Sequence, residues 1–328
     1  MEGAVAMAYA YVDWEPSRYV ALLPKIDPEA SKYSRGSLAV IGGSARFTGA
    51  PVLSALAAAR TGAGYVTLVV PSEMETVARM HLLSIPVIGA PSRNGTFLSG
   101  ATRLLTDELR HLDAVAIGPG MCCTAQTSSL VEEVLSNLDM PVVVDADGLN
   151  AISGRALTAD RAGRRPGVGN RVLTALVARN AAGHATILTP HDGELARIVK
   201  ACAEAGLDLP VDLDGGSDRA DNAMAVATAT GSIVVAKGRE TVIAGDGKVL
   251  RSAFGSAALA KAGTGDVLTG VIGAFAASGL AAFDAAALGV VVHSLAGEHA
   301  RSALSLASVM AEDVVEAIPA ALKQIARF

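Results

Sequence analysis

The sequence has few aromatic residues, few cysteines and no strong charge of either sign. Aromatic side chains make up 4% of the 328 residues, and the formal net charge at pH 7 is -5. A mildly acidic chain without lysine and arginine clusters offers no surface for DNA or RNA, so we expect no nucleic-acid partner. The three cysteines, Cys122, Cys123 and Cys202, have neither zinc-site spacing nor a disulfide framework. We therefore expect reduced thiols and a cytoplasmic location.

Targeting segments and long hydrophobic runs are also lacking. The N-terminus has no basic stretch followed by an apolar core, and we expect no signal peptide. The longest uncharged run near the C-terminus, residues 267–283, is short for a membrane span and contains three glycines. We therefore expect no membrane attachment.

The two common phosphate-binding motifs are missing as well, because the chain has neither G-x-x-x-x-G-K-[S/T] nor G-x-G-x-x-G. Instead, Gly263, Thr264, Gly265 and Asp266 stand directly before an apolar helical pattern. A helix N-terminus presents free N–H groups and partial positive charge to an anion. We interpret Gly263, Thr264 and Gly265 as an anion hole for phosphate. Asp266 is either a base that takes a proton from an attacking hydroxyl or a helix cap.

Apolar strand patterns alternate with helical patterns along most of the chain. Strands are predicted at residues 38–41, 65–70, 114–117, 142–144, 186–188 and 233–236. Repeated strand–crossover–strand units predict an α/β fold with a mostly parallel central sheet and helices on both faces.

The pattern changes near residue 241. Residues 241–244 and 248–251 flank Gly245-Asp246-Gly247, which predicts an antiparallel hairpin at an edge of the sheet. We expect residues 1–35 to form an N-terminal arm and residues 36–328 a single domain. Within that domain, residues 154–169 are rich in arginine and are predicted to be a surface-loop insert.

Four loops follow predicted strands, where open α/β sheets bind their ligands. They begin at Gly118, Asp145, Thr189 and Lys237. Turn glycines, helix-capping aspartates and a solvated lysine would each account for one loop taken alone. Because the carboxyl ends of parallel strands meet at one edge of a sheet, we expect the four loops to share one site.

The charged side chains of these loops suggest a metal and a nucleotide. Asp145, Asp147 and Glu194 are candidates to hold Mg²⁺ through water, because this ion keeps most of its hydration shell. Lys237 is a candidate contact to a phosphate. His191 is either a structural histidine or a contact to the substrate.

Six motifs in one order carry a resemblance to a known family. They read G-G-S-x-x-F-T-G-A-P, G-P-G, D-A-D-G-L-N, T-P-H-x-G-E, K-G-x-x-T and A-G-T-G-D-V-L-T-G, between residues 42 and 270. Together they resemble the ADP- or ATP-dependent (S)-NAD(P)H-hydrate dehydratases of the ribokinase-like superfamily.

This resemblance implies a three-layer α/β/α sandwich and a hydro-lyase of metabolite repair. Such an enzyme returns a hydrated coenzyme, NADHX or NADPHX, to NAD(P)H. ADP would become AMP, or ATP would become ADP, and phosphate would be released by way of a transient phosphorylated hydrate. The choice between ADP and ATP is left open.

The resemblance also implies which residues bind each substrate. The hydrate would be contacted by Ala50, Gly118, Gly120, His191 and Asp266. The nucleotide would be contacted by Lys237, Gly238, Arg239, Glu240, Thr241 and Gly265. Mg²⁺ is the implied cofactor and a homotetramer the implied assembly.

Two further expectations concern the biological setting. We see no counterpart of the family's epimerase domain, so a separate NAD(P)HX epimerase would act upstream. The alternative activity is that of a ribokinase-like kinase for a vitamin precursor, of the hydroxymethylpyrimidine or hydroxyethylthiazole type. Those kinases carry N-x-x-E where this chain has His191 and Glu194, which favours the dehydratase.

Overall fold

The computed structural model describes residues 10–12, 15–25, 27–101, 108–154, 170–209, 218–252 and 254–328. The predicted insert at residues 154–169 lies outside the described residues apart from Gly154. So do residues 1–9 of the predicted arm.

The fold is organised around a ten-stranded sheet, with a small two-stranded sheet beside it. The strands are β1 (Ala10–Val12), β2 (Ser37–Ile41), β3 (Tyr65–Pro71), β4 (Val87–Ala90), β5 (Ser92–Arg93), β6 (Thr96–Phe97), β7 (Ala114–Ile117), β8 (Val142–Val144), β9 (Thr186–Leu188), β10 (Ile233–Ala236), β11 (Val242–Gly245) and β12 (Lys248–Arg251). The order in the large sheet is β1-β12-β11-β10-β9-β8-β7-β2-β3-β4, and β5 pairs with β6.

Seven neighbouring strands, from β4 to β10 in that order, run parallel. Strand β11 runs antiparallel to both of its neighbours, β10 and β12, and the β11–β12 pair is the predicted hairpin. An additional strand lies outside this hairpin, because β1 pairs in parallel with β12, placing Ala10 opposite Lys248. The sequence pattern did not predict β1, β4 or the β5–β6 pair.

Helices cover both faces of the large sheet. They are α1 (Pro16–Leu22), α2 (Gly49–Thr61), α3 (Glu75–His81), α4 (Ala125–Asn137), α5 (Asp147–Ile152), α6 (Arg171–Ala181), α7 (Asp192–Glu204), α8 (Arg219–Thr230), α9 (Thr264–Ala277), α10 (Ala282–Ala303) and α11 (Ala311–Ile325). Helices α1 to α3 and α9 to α11 share one hydrophobic core with one face of the sheet, and α4 to α8 share a second core with the other.

Strand β2 shows why both faces are covered. Its Leu38 and Val40 belong to the first core, whereas Ala39 and Ile41 belong to the second, and all four are fully buried. A strand whose alternate side chains are all apolar has to be covered on both sides. The layers therefore confirm the predicted α/β fold. Among the described residues, no helix has both the length and the apolar character needed to cross a bilayer.

Candidate active site

The site lies at the carboxyl ends of the parallel strands, next to the first turn of α9. This helix begins at Thr264, so that Asp266 is part of the first turn. The residue before the helix, Gly263, has φ 92°, a left-handed conformation that glycine adopts without strain. The Thr264 hydroxyl donates to the carbonyls of Leu259 and Lys261, at 2.7 and 2.8 Å. These bonds secure the loop that leads into the helix, whose first N–H groups have no partner within the helix.

The Asp266 carboxylate does not cap α9 in the structure. Gly263 occupies the capping position, and within the described part of the chain no hydrogen bond reaches the Asp266 carboxylate. Burial raises the pKa of Asp266 to about 7, the negative charge of Asp145 adds to the rise, and Lys237 opposes it. The Ser54 hydroxyl of α2 holds the Asp266 carbonyl oxygen at 2.7 Å. The backbone is thus anchored, while the carboxylate is left for a ligand.

Lys237 and Asp145 form a buried ion pair beside this turn. The Lys237 ammonium lies 2.8 Å from Oδ1 of Asp145, and the hydroxyl of Thr269 in α9 donates to Oδ2 at 2.7 Å. Burial alone would raise the pKa of the Asp145 carboxyl, but the charge of Lys237 and these hydrogen bonds hold it below its usual range. A Cβ at Gly265 would lie 3.4 Å from the Lys237 ammonium. A positive charge therefore stands against the predicted anion hole.

Burial also lowers the pKa of Lys237, but the nearby carboxylates of Asp145, Glu194 and Asp266 outweigh it. The net result is a raised pKa, so that Lys237 is cationic at neutral pH. Three acids and one cation thus share a small, partly desolvated volume.

Asp147, the second aspartate after strand β8, stabilises the turn in which it lies. Oδ2 of Asp147 accepts the N–H of Cys122 at 2.8 Å, and Oδ1 accepts the side-chain amide of Asn150 at 3.1 Å. Ala146, between the two aspartates, has φ 47°, which is unfavourable for a residue with a side chain. With this backbone conformation the Asp145 side chain meets Lys237, and the Asp147 side chain meets the loop that contains Cys122.

Two of the residues predicted to contact the hydrate, Gly118 and Ala50, lie where neighbouring segments of the chain pack closely together. Gly118 has φ 123°, and a Cβ there would overlap the carbonyl oxygen of Asp145. Ala50, at the start of α2, lies close to Gly120, since a Cβ on this glycine would be 3.1 Å from that of Ala50. The Ala50 carbonyl also accepts the Ser54 hydroxyl at 3.4 Å, the same hydroxyl that holds Asp266. These loops therefore converge on α9.

His191 and Glu194 form the N-terminal capping box of α7. Nδ1 of His191 accepts the N–H groups of Gly193 and Glu194 at 3.0 and 3.3 Å, and Oε2 of Glu194 accepts the N–H of His191 at 2.9 Å. The His191 side chain is 56% exposed and so remains open to a ligand. Burial raises the pKa of Glu194, against the lowering effect of Lys237.

The K-G-x-x-T loop, residues 237–241, is joined to this turn. Lys237 donates its N–H to the carbonyl of Pro190 at 2.7 Å, and His191 and Lys237 form an isolated parallel bridge. Beyond the bridge, Gly238, Arg239 and Glu240 are exposed. The His191 turn and the K-G-x-x-T loop therefore lie side by side at one edge of the sheet.

The predicted metal ligands do not form a direct coordination shell. Among the described residues, no group of three or more histidine, cysteine or acidic side chains is arranged to hold a metal ion. Both oxygens of Asp145 and of Asp147 accept protein hydrogen bonds, and Glu194 accepts one from His191. The side chains of the described residues thus do not by themselves form a resident Mg²⁺ site.

Sequence reasoning missed two hydroxyls that organise the site, those of Thr269 and Ser54. Thr269 follows Asp266 by three residues, which places both on one side of α9, and this spacing was available from the sequence. Ser54 lies on α2, and its contact with Asp266 depends on how two distant helices pack. Local spacing does not encode such a contact.

Comparison with known proteins decides the family. The model of the NAD(P)H-hydrate dehydratase family matches residues 38–320. The chain belongs to this family. One relative, the ADP-dependent (S)-NAD(P)H-hydrate dehydratase of Xanthomonas campestris, is 30% identical to this chain over 92% of each chain. The dehydratase assignment is therefore favoured over the vitamin-precursor kinase.

Solved structures agree with the fold. An ADP/ATP-dependent NAD(P)H-hydrate dehydratase from Bacillus subtilis, co-crystallised with ATP and Mg²⁺, superimposes with a TM-score of 0.71 at 27% identity, covering 98% of this chain and all of the other. A ribokinase-like superfamily protein of Enterococcus faecalis gives 0.73 at 20% identity, covering 99% of both. The ribokinase-like fold is thus confirmed. The chain spans about half the length of several curated relatives, which are bifunctional NAD(P)H-hydrate repair enzymes.

Proposed function

We propose that this member of the NAD(P)H-hydrate dehydratase family restores (S)-NAD(P)H-hydrate to NAD(P)H at the expense of ADP or ATP. The observation that carries the proposal is the Asp266 carboxyl, with a pKa of about 7 and no hydrogen bond from the described residues, beside a cation and a helix N-terminus. A general base works best when its pKa lies near the operating pH.

The chemistry follows from the poor leaving ability of hydroxide. Asp266 takes the proton of the hydrate hydroxyl as its oxygen attacks the terminal phosphorus of the nucleotide. The amides at Gly263, Thr264 and Gly265 then stabilise the charge on the transferred phosphoryl group. The ring nitrogen pushes out phosphate together with the former hydroxyl oxygen, and a proton is lost from the ring. The products are NAD(P)H, inorganic phosphate and AMP or ADP.

Two sets of residues, drawn from several loops, are proposed to bind the two substrates. The hydrate contacts Ala50, Gly118, Gly120, His191 and Asp266, and the nucleotide contacts residues 237–241 and Gly265. The closeness of the Lys237 ammonium to Gly265 supports this division, because a cation there would meet the nucleotide phosphates.

Mg²⁺ is proposed to enter with the nucleotide phosphates, since the side chains alone do not form its first shell. Glu194, Asp145 and Asp147 would contact it only through water. The co-crystal of the Bacillus subtilis relative with ATP and Mg²⁺ supports this idea. A homotetramer, a cytoplasmic location and an NAD(P)HX epimerase acting upstream complete the proposal.

The test is incubation with chemically prepared NADHX and either ADP or ATP. Recovery of reduced-nicotinamide absorbance is expected, with one free phosphate for each NADH and with AMP or ADP as the second product. The matched control is Asp266→Asn. Failure to recover absorbance with either donor, or accumulation of a stable phosphorylated product, would refute the dehydratase.

A further inference from the structure

Arg219, at the start of α8, connects the turn at His191 and Asp192 to the nucleotide loop, residues 237–241. Its Nε and Nη2 donate to Oδ1 and Oδ2 of Asp192, at 2.7 and 2.9 Å. Its Nη1 donates to the carbonyl oxygen of Glu240 at 2.9 Å. Asp192 follows His191 in the chain, and Glu240 lies in the nucleotide loop. One planar guanidinium is therefore bonded to both halves of the site.

The guanidinium also lies close to Gly238 of the nucleotide loop. A side chain at Gly238 would collide with the Cζ and terminal nitrogens of Arg219. On another side of the loop, a side chain at Gly255 would overlap the carbonyl oxygen of Arg239. The exposed tip of the loop is thus held between Arg219 and the segment around Gly255.

A second arginine completes a ring of charges. Arg251 donates to Oε2 of Glu240 at 3.2 Å and to Oδ2 of Asp218 at 2.8 Å. Asp218 caps α8 by accepting the N–H of Asp221 at 2.9 Å, and α8 begins with Arg219. The ring therefore fixes the backbone position from which Arg219 reaches both loops.

The base and the tip of the loop are tied in different ways. At the base, Lys237 is bound to Pro190 through the backbone, and that bond depends on no side chain. At the tip, residues 238–240 lie outside the strands, and Arg219 supplies the connection to Asp192. Its charge and hydrogen bonds hold the pKa of Asp192 below the usual range. A bidentate arginine–carboxylate pair fixes the direction as well as the distance between its partners. When residues 238–240 are ordered, Arg219 therefore restricts the position of Asp192 as well.

We propose that Arg219 is a positioning residue that couples the nucleotide site to the hydrate site, so that each substrate binds more tightly when the other is present. This coupling rests on the proposed function for the identity of the two ligands. Nucleotide binding orders residues 238–240, these residues hold Arg219, and Arg219 holds Asp192 and the adjoining His191 turn. By linkage, the hydrate must strengthen nucleotide binding by the same factor.

The coupling can be measured without turnover. Calorimetry gives the Kd of ADP with and without saturating NADPH, the product that occupies the hydrate site. For the wild-type chain we expect a ratio of about 5 to 150, the usual range for coupled sites. Arg219→Gln should bring the ratio close to one, and Arg219→Lys should keep a small part of it, because an ammonium lacks the planar fork.

Two further variants make the test specific. Asp192→Asn should lose the coupling as Arg219→Gln does, and the double variant should lose little more, since both act through one contact. Arg60→Gln is the control, because Arg60 forms an exposed ion pair with Glu316, its Nη2 lying 3.0 and 2.8 Å from the two carboxylate oxygens, away from the site. It should keep the wild-type ratio.

In steady-state assays, Arg219→Gln should raise KM for both substrates about tenfold or more and change kcat far less, as expected when binding geometry is lost. A wild-type ratio of one, or an unchanged ratio in both Arg219→Gln and Asp192→Asn, would overturn the coupling. If NADHX is not converted with either donor while the Arg219-dependent ratio persists, the proposed reaction fails and the coupling stands.

Discussion

The substitution Asp266→Asn distinguishes a catalytic role of this carboxylate from a structural one. The change keeps the size of the side chain but removes its ability to accept a proton. Turnover of NAD(P)HX should therefore fall by about 10² to 10⁴-fold, the usual contribution of a general base. Nucleotide binding should survive or tighten, because a negative charge that faces the phosphates is removed.

The same change should stabilise the fold at alkaline pH. In the native chain the pKa of Asp266 is about 7, against an ordinary value of 3.8. Between these values the native state holds a proton that the unfolded state has lost, so stability declines as pH rises from 4 to 7. The accumulated loss is about 4 kcal/mol at one pKa unit per 1.36 kcal/mol. Asp266→Asn should regain most of it at pH 8 and none of it near pH 4.

Three measurements check this reasoning. Urea unfolding at pH 4 and pH 8 gives the stability of both chains, and calorimetry gives their ADP affinity. The pH profile of kcat/KM should rise through about pH 7 in the wild-type chain, since at pH 6 only about one tenth of the carboxyl is ionised. Near-wild-type turnover in Asp266→Asn would refute the base. Loss of stability together with turnover would show that the carboxylate is structural.

Three other substitutions test the surroundings of Asp266. Lys237→Ala should lower the free energy of unfolding by about 3–5 kcal/mol, because it leaves the buried Asp145 carboxylate without its cation, and adding Asp145→Asn should restore most of it. In that double variant, calorimetry should show ADP binding weakened by about 1.5–3 kcal/mol, and unchanged affinity would remove Lys237 from the nucleotide site. Thr269→Val should cost about 1–3 kcal/mol in urea unfolding by removing a buried hydrogen bond to Asp145, and an unaltered midpoint would contradict this. Gly118→Ala should destabilise more than Gly183→Ala in thermal unfolding, because both glycines have positive φ but Gly183 has open space around it, so equal effects would show that overlap with Asp145 is unimportant.

Most of the parallel sheet could be predicted because strands buried on both faces read as short apolar runs. The predicted bounds at residues 114–117, 142–144, 186–188 and 233–236 match the observed strands. Strand β4 contains Gly89 and is only partly buried, and β1 has three residues at the edge of the sheet, so neither leaves such a run. Hydrophobic pattern reports burial, so a very short or interrupted apolar run leaves little signal in the sequence.

The loops of the candidate site could be predicted, but the contacts between their side chains could not. Glycines and acids after strands placed Asp145, His191 and Lys237 at one edge. That Lys237 pairs with Asp145, 92 residues away, and that Thr269 completes the group from 124 residues away, depends on how the layers pack. Lys237 had been a candidate for solvent or phosphate on local grounds, and its buried partner becomes visible only in three dimensions.

The pairing of β1 with β12 has a consequence for the order in which the chain folds. Ala10 lies opposite Lys248, so β1 cannot take its place in the sheet until β12 has also been synthesised. The parallel strands in between can form earlier, and contacts of such long sequence separation form slowly. During synthesis β1 must therefore remain unpaired until β12 is made, and the β1–β12 pairing is expected to form late.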